Sequence, residues 1–172
     1  MATPGSSPAI DSSSETRTFG DFVLRGSPSA RVAAGLVATL GDGGRIAGCT
    51  VAEALRIAGR DRAGEVVSRF PELADRLRAH ADTLSGGEQQ ILQVACAWCL
   101  APKALVLDAP TLGLAESAGA RVRELARDAA AAGTAVLWLD TEAAAAPFGV
   151  VRRLAGGRLS PPAGAGGSAS AS

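Results

Sequence analysis

Two short apolar runs, each followed by an aspartate, constrain the fold of this chain more than any other feature. Residues 104–107 read Ala-Leu-Val-Leu before Asp108, and residues 134–139 repeat the apolar pattern before Asp140. Short continuous apolar runs are typical of parallel strands that are buried on both faces. Residues 117–132, between the two runs, have a helical pattern. The segment therefore predicts a β-α-β unit with a right-handed crossover, and ligands of such sheets bind beyond the carboxyl ends of the strands.

Length and composition admit one domain and exclude several kinds of partner. A chain of 172 residues is long enough for one sizeable core. Its 17 basic residues balance 17 acidic residues, so it lacks the basic surface that nucleic acid requires. The first residues do not form a signal peptide, and no apolar run is long enough to span a bilayer. We therefore expect no nucleic-acid partner, no direct membrane insertion and a cytoplasmic location.

The rest of the chain is predicted to form one α/β domain between two disordered ends. Residues 1–18 and 160–172 are poor in side chains that could pack, so we expect a disordered leader and a disordered Gly/Ala/Ser tail. The domain is predicted over residues 19–159, as a reduced, mainly parallel sheet flanked by helices, with a small helical region at about residues 50–100. Besides the β-α-β unit, we predict strands over residues 20–25, 35–40, 150–154 and 158–159 and helices over residues 30–34, 51–58, 63–69 and 71–79.

Two capping boxes mark the starts of helices in this helical region. Thr50 precedes Glu53 by three residues, and Ser85 precedes Glu88 by the same interval. In such a box the hydroxyl accepts a hydrogen bond from a helix amide while the glutamate reaches back to the cap amide. The second box predicts a longer helix that runs to Leu100.

The second box also has the chemistry of an anion site. Residues 84–90 read Leu-Ser-Gly-Gly-Glu-Gln-Gln, so a serine hydroxyl and glycine amides lie at a helix N-terminus. Unpaired amides and the helix dipole attract phosphate oxygens at such an end, and glycine lets them approach the backbone. Taken alone, however, this sequence would be interpreted as an ordinary helix cap.

The surrounding sequence resembles the ATPase domain of ABC transporters. Residues 84–90 match the signature motif of that family without a mismatch. Asp108, which ends an apolar strand eighteen residues after Gln90, resembles the family's Walker B aspartate, and the residues that follow resemble its D-loop. Residues 50–55 and 136–139 also resemble family segments. The resemblance covers about residues 20–159 and is closest to the ATPases of branched-chain amino acid importers.

The resemblance implies a fold, cofactors and partners. It implies a partial ABC ATPase (P-loop NTPase) fold that uses ATP and Mg²⁺, in which two subunits share each nucleotide. The residues that would face a nucleotide held by the partner are Ser85, Gly86, Gly87, Glu88 and Gln89. The D-loop would be Leu112, Gly113, Leu114 and Ala115, and Asp108 would be a weak magnesium ligand. The implied partners are an intact ABC ATPase subunit and a membrane permease, which would hold the chain at the inner face of the membrane.

The sequence departs from the family at its catalytic positions. It contains no Gly-x4-Gly-Lys-Ser/Thr motif, the Walker A element that cradles phosphates, and its single lysine is Lys103. Ala109 stands where the resemblance implies the catalytic glutamate. Thr141, or alternatively Asp140, stands where it implies the switch histidine. Loss of a positioned general base typically slows a reaction by about 10²- to 10⁴-fold. We therefore expect a chain that does not hydrolyse ATP alone.

Three functions remain open on the sequence. The chain is either a degenerate ATP-binding subunit that supplies its signature to a partner ATPase, a non-functional truncated remnant, or an autonomous ATPase, which the missing phosphate cradle disfavours. Two local alternatives also stand. Asp108 is equally well interpreted as a buried residue that caps a turn. Cys96 and Cys99 form a C-x-x-C pair within an apolar helix, which favours core packing over a metal site.

Overall fold

The structure is a computed structural model of the chain. It describes residues 17–19, 22–24, 27–39, 44–141, 151–152, 154–155 and 158–160. Most of the two ends predicted to be disordered therefore lies outside the described residues. Arg17 and Thr18 belong to a strand, so regular structure begins slightly before the predicted boundary.

Strands and helices alternate along the chain. The strands are β1 (Arg17–Phe19), β2 (Phe22–Leu24), β3 (Leu36–Ala38), β4 (Ala104–Asp108), β5 (Ala135–Leu139), β6 (Leu154–Ala155) and β7 (Arg158–Leu159). The helices are α1 (Pro28–Ala33), α2 (Val51–Arg69), α3 (Pro71–Ala74), α4 (Gly86–Cys99) and α5 (Glu116–Ala131), with a single 3₁₀ turn at Ala81–Thr83. None of the helices in the described part of the chain is long and apolar enough to cross a membrane.

A three-stranded parallel sheet positions the site. Its order is β3-β4-β5, and α5 connects β4 to β5, which confirms the predicted β-α-β unit. Asp108, the last residue of β4, pairs with Leu139 of β5. The carboxyl ends of these two strands therefore lie side by side. The pairs β1-β2 and β6-β7 are separate antiparallel hairpins.

Helix α4 forms the centre of the hydrophobic core. Leu92, Val94 and Ala95 are fully buried, and they belong to one cluster with Leu55 of α2 and Leu105 of β4. Full burial of a Leu or Val side chain contributes about 1.5–3 kcal/mol. Because α4 is held between the helical region and the sheet, its N-terminus has a fixed place relative to the strand ends.

The helical region differs from the prediction in its helix boundaries. The predicted helices 51–58 and 63–69 both lie within α2, as two helical segments that meet at a kink at Gly59, whose backbone is not helical. A Cβ atom at Gly59 would collide with the carbonyl oxygen of Cys99, so only glycine allows α2 to approach α4 this closely. The predicted helix 71–79 ends at Ala74. The carbonyl oxygens of Leu77 and Ala79 instead accept from the first two amides of α2, which have no partner within the helix.

Candidate functional site

The signature loop is built by the second predicted capping box. The amide of Glu88 donates to Oγ of Ser85 at 3.2 Å, and the amide of Ser85 donates to Oε2 of Glu88 at 2.8 Å. Ser85 has an extended backbone and α4 begins at Gly86. Ser85 and Gly86 are both exposed. The structure thus presents a helix N-terminus with its serine and first glycine open to solvent.

Glu88 stabilises this loop through both of its carboxylate oxygens. Oε2 accepts from Ser85, and Oε1 accepts from Nε of Arg76 at 3.1 Å. The hydrogen bond from the Ser85 backbone amide, then contact with the Ser85 side chain, and to a smaller extent Arg76, lower the pKa of Glu88. The carboxylate is therefore ionised near neutral pH. Its bonds to Ser85 and Arg76 stabilise the conformation of the loop.

Gln89 faces the interior rather than the loop surface. Its side chain is only 2% exposed. Nε2 donates to the carbonyl oxygens of Ile46 and Ala81, and Oε1 accepts from the amide of Ile46 at 3.2 Å. Of the five residues predicted to face a nucleotide, Ser85 and Gly86 are exposed at the loop and Gly87 is partly buried beside them.

The D-loop segment packs directly against the signature. A Cβ atom at Gly87 would lie 3.4 Å from Cδ2 of Leu114 and 3.7 Å from the carbonyl oxygen of Gly113. Leu112 is 69% exposed, and residues 109–114 form turns in which the Leu112 amide donates to Ala109 at 3.0 Å. The two segments that sequence reasoning singled out therefore form one continuous surface.

Asp108 is exposed, so the interpretation as a buried cap is wrong. Its amide donates to Oγ1 of Thr39 at 3.1 Å, which ties the end of β4 to the end of β3. No group of three or more His, Cys, Asp or Glu side chains in the described part of the chain is arranged to hold a metal ion. Asp108 is thus a single carboxylate, which suits a magnesium ion only if other ligands come from phosphate oxygens and water.

Ala109 has an unusual backbone conformation for its residue type. Its φ is 43°, in the left-handed region, where a residue with a Cβ atom costs about 1–2 kcal/mol. Its amide donates to the carbonyl oxygen of Leu139 at 2.9 Å, and its own carbonyl oxygen accepts from Nε2 of Gln90 at 3.4 Å. Gln90 thus connects the signature helix to the position after Asp108. Sequence reasoning missed this link, because no local pattern signals it.

Thr141 and Asp140 follow β5 at the same end of the sheet. The Thr141 amide donates to Oδ1 of Asp140 at 2.7 Å, and Nε1 of Trp138 donates to Oδ2 of Asp140 at 3.3 Å. Thr141 is exposed. The structure therefore brings Asp108, Ala109 and Thr141 to one edge of the sheet, as the parallel strands predict.

The C-x-x-C pair lies in the core, as predicted. Cys99 is buried and Cys96 is partly buried. Burial, with smaller contributions from Cys99 and Cys49, raises the pKa of Cys96 to about 12, and burial raises the pKa of Cys99 to about 11. Both thiols are protonated at neutral pH, which makes them poor nucleophiles and poor metal ligands.

Known proteins share this sequence pattern. The ABC transporter family matches residues 28–112. The high-affinity branched-chain amino acid transport ATP-binding protein BraG of Pseudomonas aeruginosa is 37% identical over 101 residues, which cover 54% of this chain and 43% of BraG. The ribose import ATP-binding protein RbsA 1 of Streptomyces avermitilis is 37% identical over 84 residues, which cover 48% of this chain and 16% of that protein. The chain thus spans less than half the length of these relatives.

Solved structures share the fold. An ATP-binding subunit of an ABC transporter superposes with a TM-score of 0.68 at 23% identity, over 75% of this chain and 58% of that one. The ATP-binding cassette MJ0796, in a dimeric structure bound to ADP and Pi, superposes with a TM-score of 0.70 at 17% identity, over 84% and 71%. The mixed α/β fold, with its parallel sheet and flanking helices, is thus the fold of ABC ATPase domains. More particularly, the chain carries part of an ABC transporter ATPase domain.

Proposed function

We propose that this chain is an ATP-binding subunit of the ABC transporter type that does not hydrolyse ATP alone and supplies its signature to a nucleotide held by a partner subunit. The observation that carries the proposal is the packing of Gly87 against Gly113 and Leu114. This packing joins the signature and the D-loop into one surface that a partner's nucleotide could meet. The chain's own catalytic position, by contrast, is an alanine, Ala109.

The signature retains the donors that a phosphate group requires. Oγ of Ser85 accepts from the Glu88 amide. Ser85 is exposed, so its hydroxyl can turn from the Glu88 carboxylate to a phosphate oxygen. Gly86 and Gly87 occupy the first turn of α4, where amides have no acceptor within the helix. Together with the positive end of the helix dipole, these three donors form a site for an oxyanion that another subunit positions.

The same chain offers little to a nucleotide of its own. The methyl group of Ala109 cannot accept a proton from water, and Thr141 has no titratable group near neutral pH. The 172 residues also contain no Gly-x4-Gly-Lys-Ser/Thr sequence to cradle phosphates. Asp108 would contribute one magnesium ligand, and it would do so only beside phosphate oxygens already bound.

The transporter setting rests on the relatives. BraG and the LivF protein of Archaeoglobus fulgidus, which is 40% identical over 76 residues, are both named as branched-chain amino acid transport ATP-binding proteins. The dimeric structure of MJ0796 with ADP and Pi supports a paired arrangement. We propose a cytoplasmic subunit that pairs with an intact ABC ATPase and associates with a membrane permease for amino acids.

Nucleotide-dependent association tests the proposal. Size-exclusion chromatography of the chain with an intact ABC ATPase subunit, which carries its own Walker A motif, is expected to show co-elution with ATP and separate elution without it. Ser85→Arg places a bulky cation at the helix N-terminus and is expected to abolish co-elution. Ser68→Arg, the same change at an exposed serine of α2, is the matched control. Co-elution that Ser85→Arg leaves intact would contradict the proposal, and so would no co-elution under any condition.

A further inference from the structure

The end of the sheet opposite Asp108 contains a second polar cleft. It has a volume of about 390 Å³ and lies at the amino ends of β4 and β5. Two cationic side chains line it, Arg62 of α2 and Lys103 of the turn before β4, together with the backbone of residues 132–135. No acidic side chain lines it. Neither the site at Asp108 nor the signature surface uses these residues.

Arg62 is held in a fixed place beside the cleft. The centre of its guanidinium group lies 4.7 Å from the centroid of the Trp98 ring, and Nη1 donates to the carbonyl oxygen of Trp98 at 3.3 Å. Trp98 is only 6% exposed, so the surface beneath the guanidinium is part of the core. A guanidinium has five N–H donors, and the bond to Trp98 uses one of them, on Nη1.

Lys103 is also fixed at its base. Its amide donates to the carbonyl oxygen of Gly35 at 2.9 Å, and its carbonyl oxygen accepts from the amide of Ala135 at 2.9 Å. Its aliphatic stem passes so close to Gly35 that a Cβ atom there would lie 3.1 Å from Cγ. The backbone and the first carbons of the side chain are therefore constrained, while the ammonium group remains exposed.

Neighbouring carboxylates do not neutralise this pair of cations. Glu65 and Arg62 both lie near Cys99, whose pKa Glu65 raises and Arg62 lowers. The carboxylate of Glu65 accepts from Nη2 of Arg69 at 3.2 Å. Asp128 of α5 accepts from Nη1 of the same arginine at 2.6 Å. Arg69 thus engages both acids, and within the described part of the chain Lys103 has no ion-pair partner.

We propose that this cleft binds a doubly charged oxyanion, of which inorganic phosphate is the simplest. The charges of Arg62 and Lys103 together match that of such an anion, and neither side chain has a carboxylate partner among the residues that the structure describes. The guanidinium offers several donors and the ammonium offers a compact charge, and both groups form charge-assisted hydrogen bonds with phosphate oxygens. The cleft is independent of the proposed signature function.

The single lysine of the sequence makes the test specific. Selective ¹³C labelling of lysine in the full chain gives one εCH₂ signal, from Lys103. Titration with inorganic phosphate at constant ionic strength, with chloride as the balancing anion, is expected to move this signal along a saturable curve with a dissociation constant of the order of 1 mM. A linear response, equal in size to that of acetate at the same ionic strength, would overturn the proposal.

Variants separate a built site from general ionic attraction. Arg62→Met is expected to weaken binding by at least about tenfold, whereas Arg60→Met, the same change at an exposed position of α2 outside the cleft, leaves it unchanged. Ala132→Glu brings a carboxylate to the exposed wall of the cleft and is expected to remove saturation, with Ala131→Glu as its control. If all four variants bind alike, Lys103 only complements the negative C-terminal end of α5, and the cleft is not an anion site.

Discussion

Gly87 of the signature and Leu114 of the D-loop are in near contact across two segments that lie 27 residues apart in sequence. A Cβ atom at Gly87 would lie 3.4 Å from Cδ2 of Leu114, which is ordinary van der Waals contact. A methyl group at this position would therefore already touch Leu114. This spacing fixes how the anion-binding end of α4 is presented beside the D-loop.

Substitution of Gly87 by valine is expected to displace the D-loop. Overpacking a tight contact costs about 1–3 kcal/mol, so the free energy of unfolding should fall by that amount in urea titrations. Gly86→Val is the matched control, because it adds the same side chain in the same helical turn where nothing lies within 4 Å. Its effect should be smaller by at least about 1 kcal/mol. Equal losses in both variants would show that valine acts through the helix alone.

The kink in α2 should depend on Gly59. Gly59→Ala places a Cβ atom against the carbonyl oxygen of Cys99, so α2 and α4 must separate, and we expect a loss of about 2–4 kcal/mol in thermal or urea unfolding. Gly64→Ala, in the same helix with open space around it, is expected to stabilise the protein by about 0.5–1 kcal/mol. An unchanged stability of Gly59→Ala would contradict the described contact between the helices.

Replacement of Ala109 by glycine is expected to stabilise the protein. Its left-handed φ of 43° is strained for a residue with a Cβ atom, so Ala109→Gly is expected to raise the free energy of unfolding by up to about 1 kcal/mol. Ala120→Gly, at an exposed position inside α5, should lower it by about 1 kcal/mol. Calorimetric melting curves of the two variants measure both changes in the free energy of unfolding, one expected to be positive and one negative. Destabilisation by both substitutions would show that Ala109 is not strained.

Stability should fall in acid through the two capping boxes. The backbone amides of Thr50 and Ser85 lower the pKa of Glu53 and Glu88 below the ordinary value of 4.5. Because the folded-state pKa is depressed, this contribution is fully present above that value and is lost as pH falls through the folded-state pKa. The urea midpoint should therefore decrease from pH 6 towards pH 3.

Glu88→Gln supplies the control for this pH dependence. The amide of glutamine still accepts from Ser85 but does not titrate, so the decrease in the urea midpoint should become shallower than in the unaltered protein. An identical pH profile for Glu88→Gln would mean that this carboxylate has the same pKa in the folded and unfolded states.

Local features were predictable from the sequence, and features that depend on distant contacts were not. Both capping boxes formed as predicted because each needs only two residues that are three positions apart. By contrast, Gln89 turns inward to bind the backbone of Ile46, 43 residues earlier. The close approach of α2 to α4 at Gly59 likewise involves Cys99, which lies 40 residues further along the chain. Neither partner is marked by a pattern near the residue that needs it.

The candidate site shows the same division. The apolar runs predicted the strand ends that position Asp108 and Thr141. The motif at residues 84–90 predicted the helix N-terminus of the signature. The sequence did not predict the exposure of Asp108 or the left-handed backbone of Ala109. An alanine carries no sequence signal for positive φ, since that conformation is imposed by the bonds that Leu139 and Gln90 make to its backbone.

The central claim is that Ser85, Gly86 and Gly87 complete a partner's nucleotide site. Its most direct test measures ATP turnover by an intact ABC ATPase subunit whose own signature serine has been changed to arginine, with and without this chain. The chain is expected to raise turnover about 10²-fold above that of the disabled subunit, and Ser85→Arg is expected to abolish the rise. Unchanged turnover in a mixture whose two proteins demonstrably associate would contradict it.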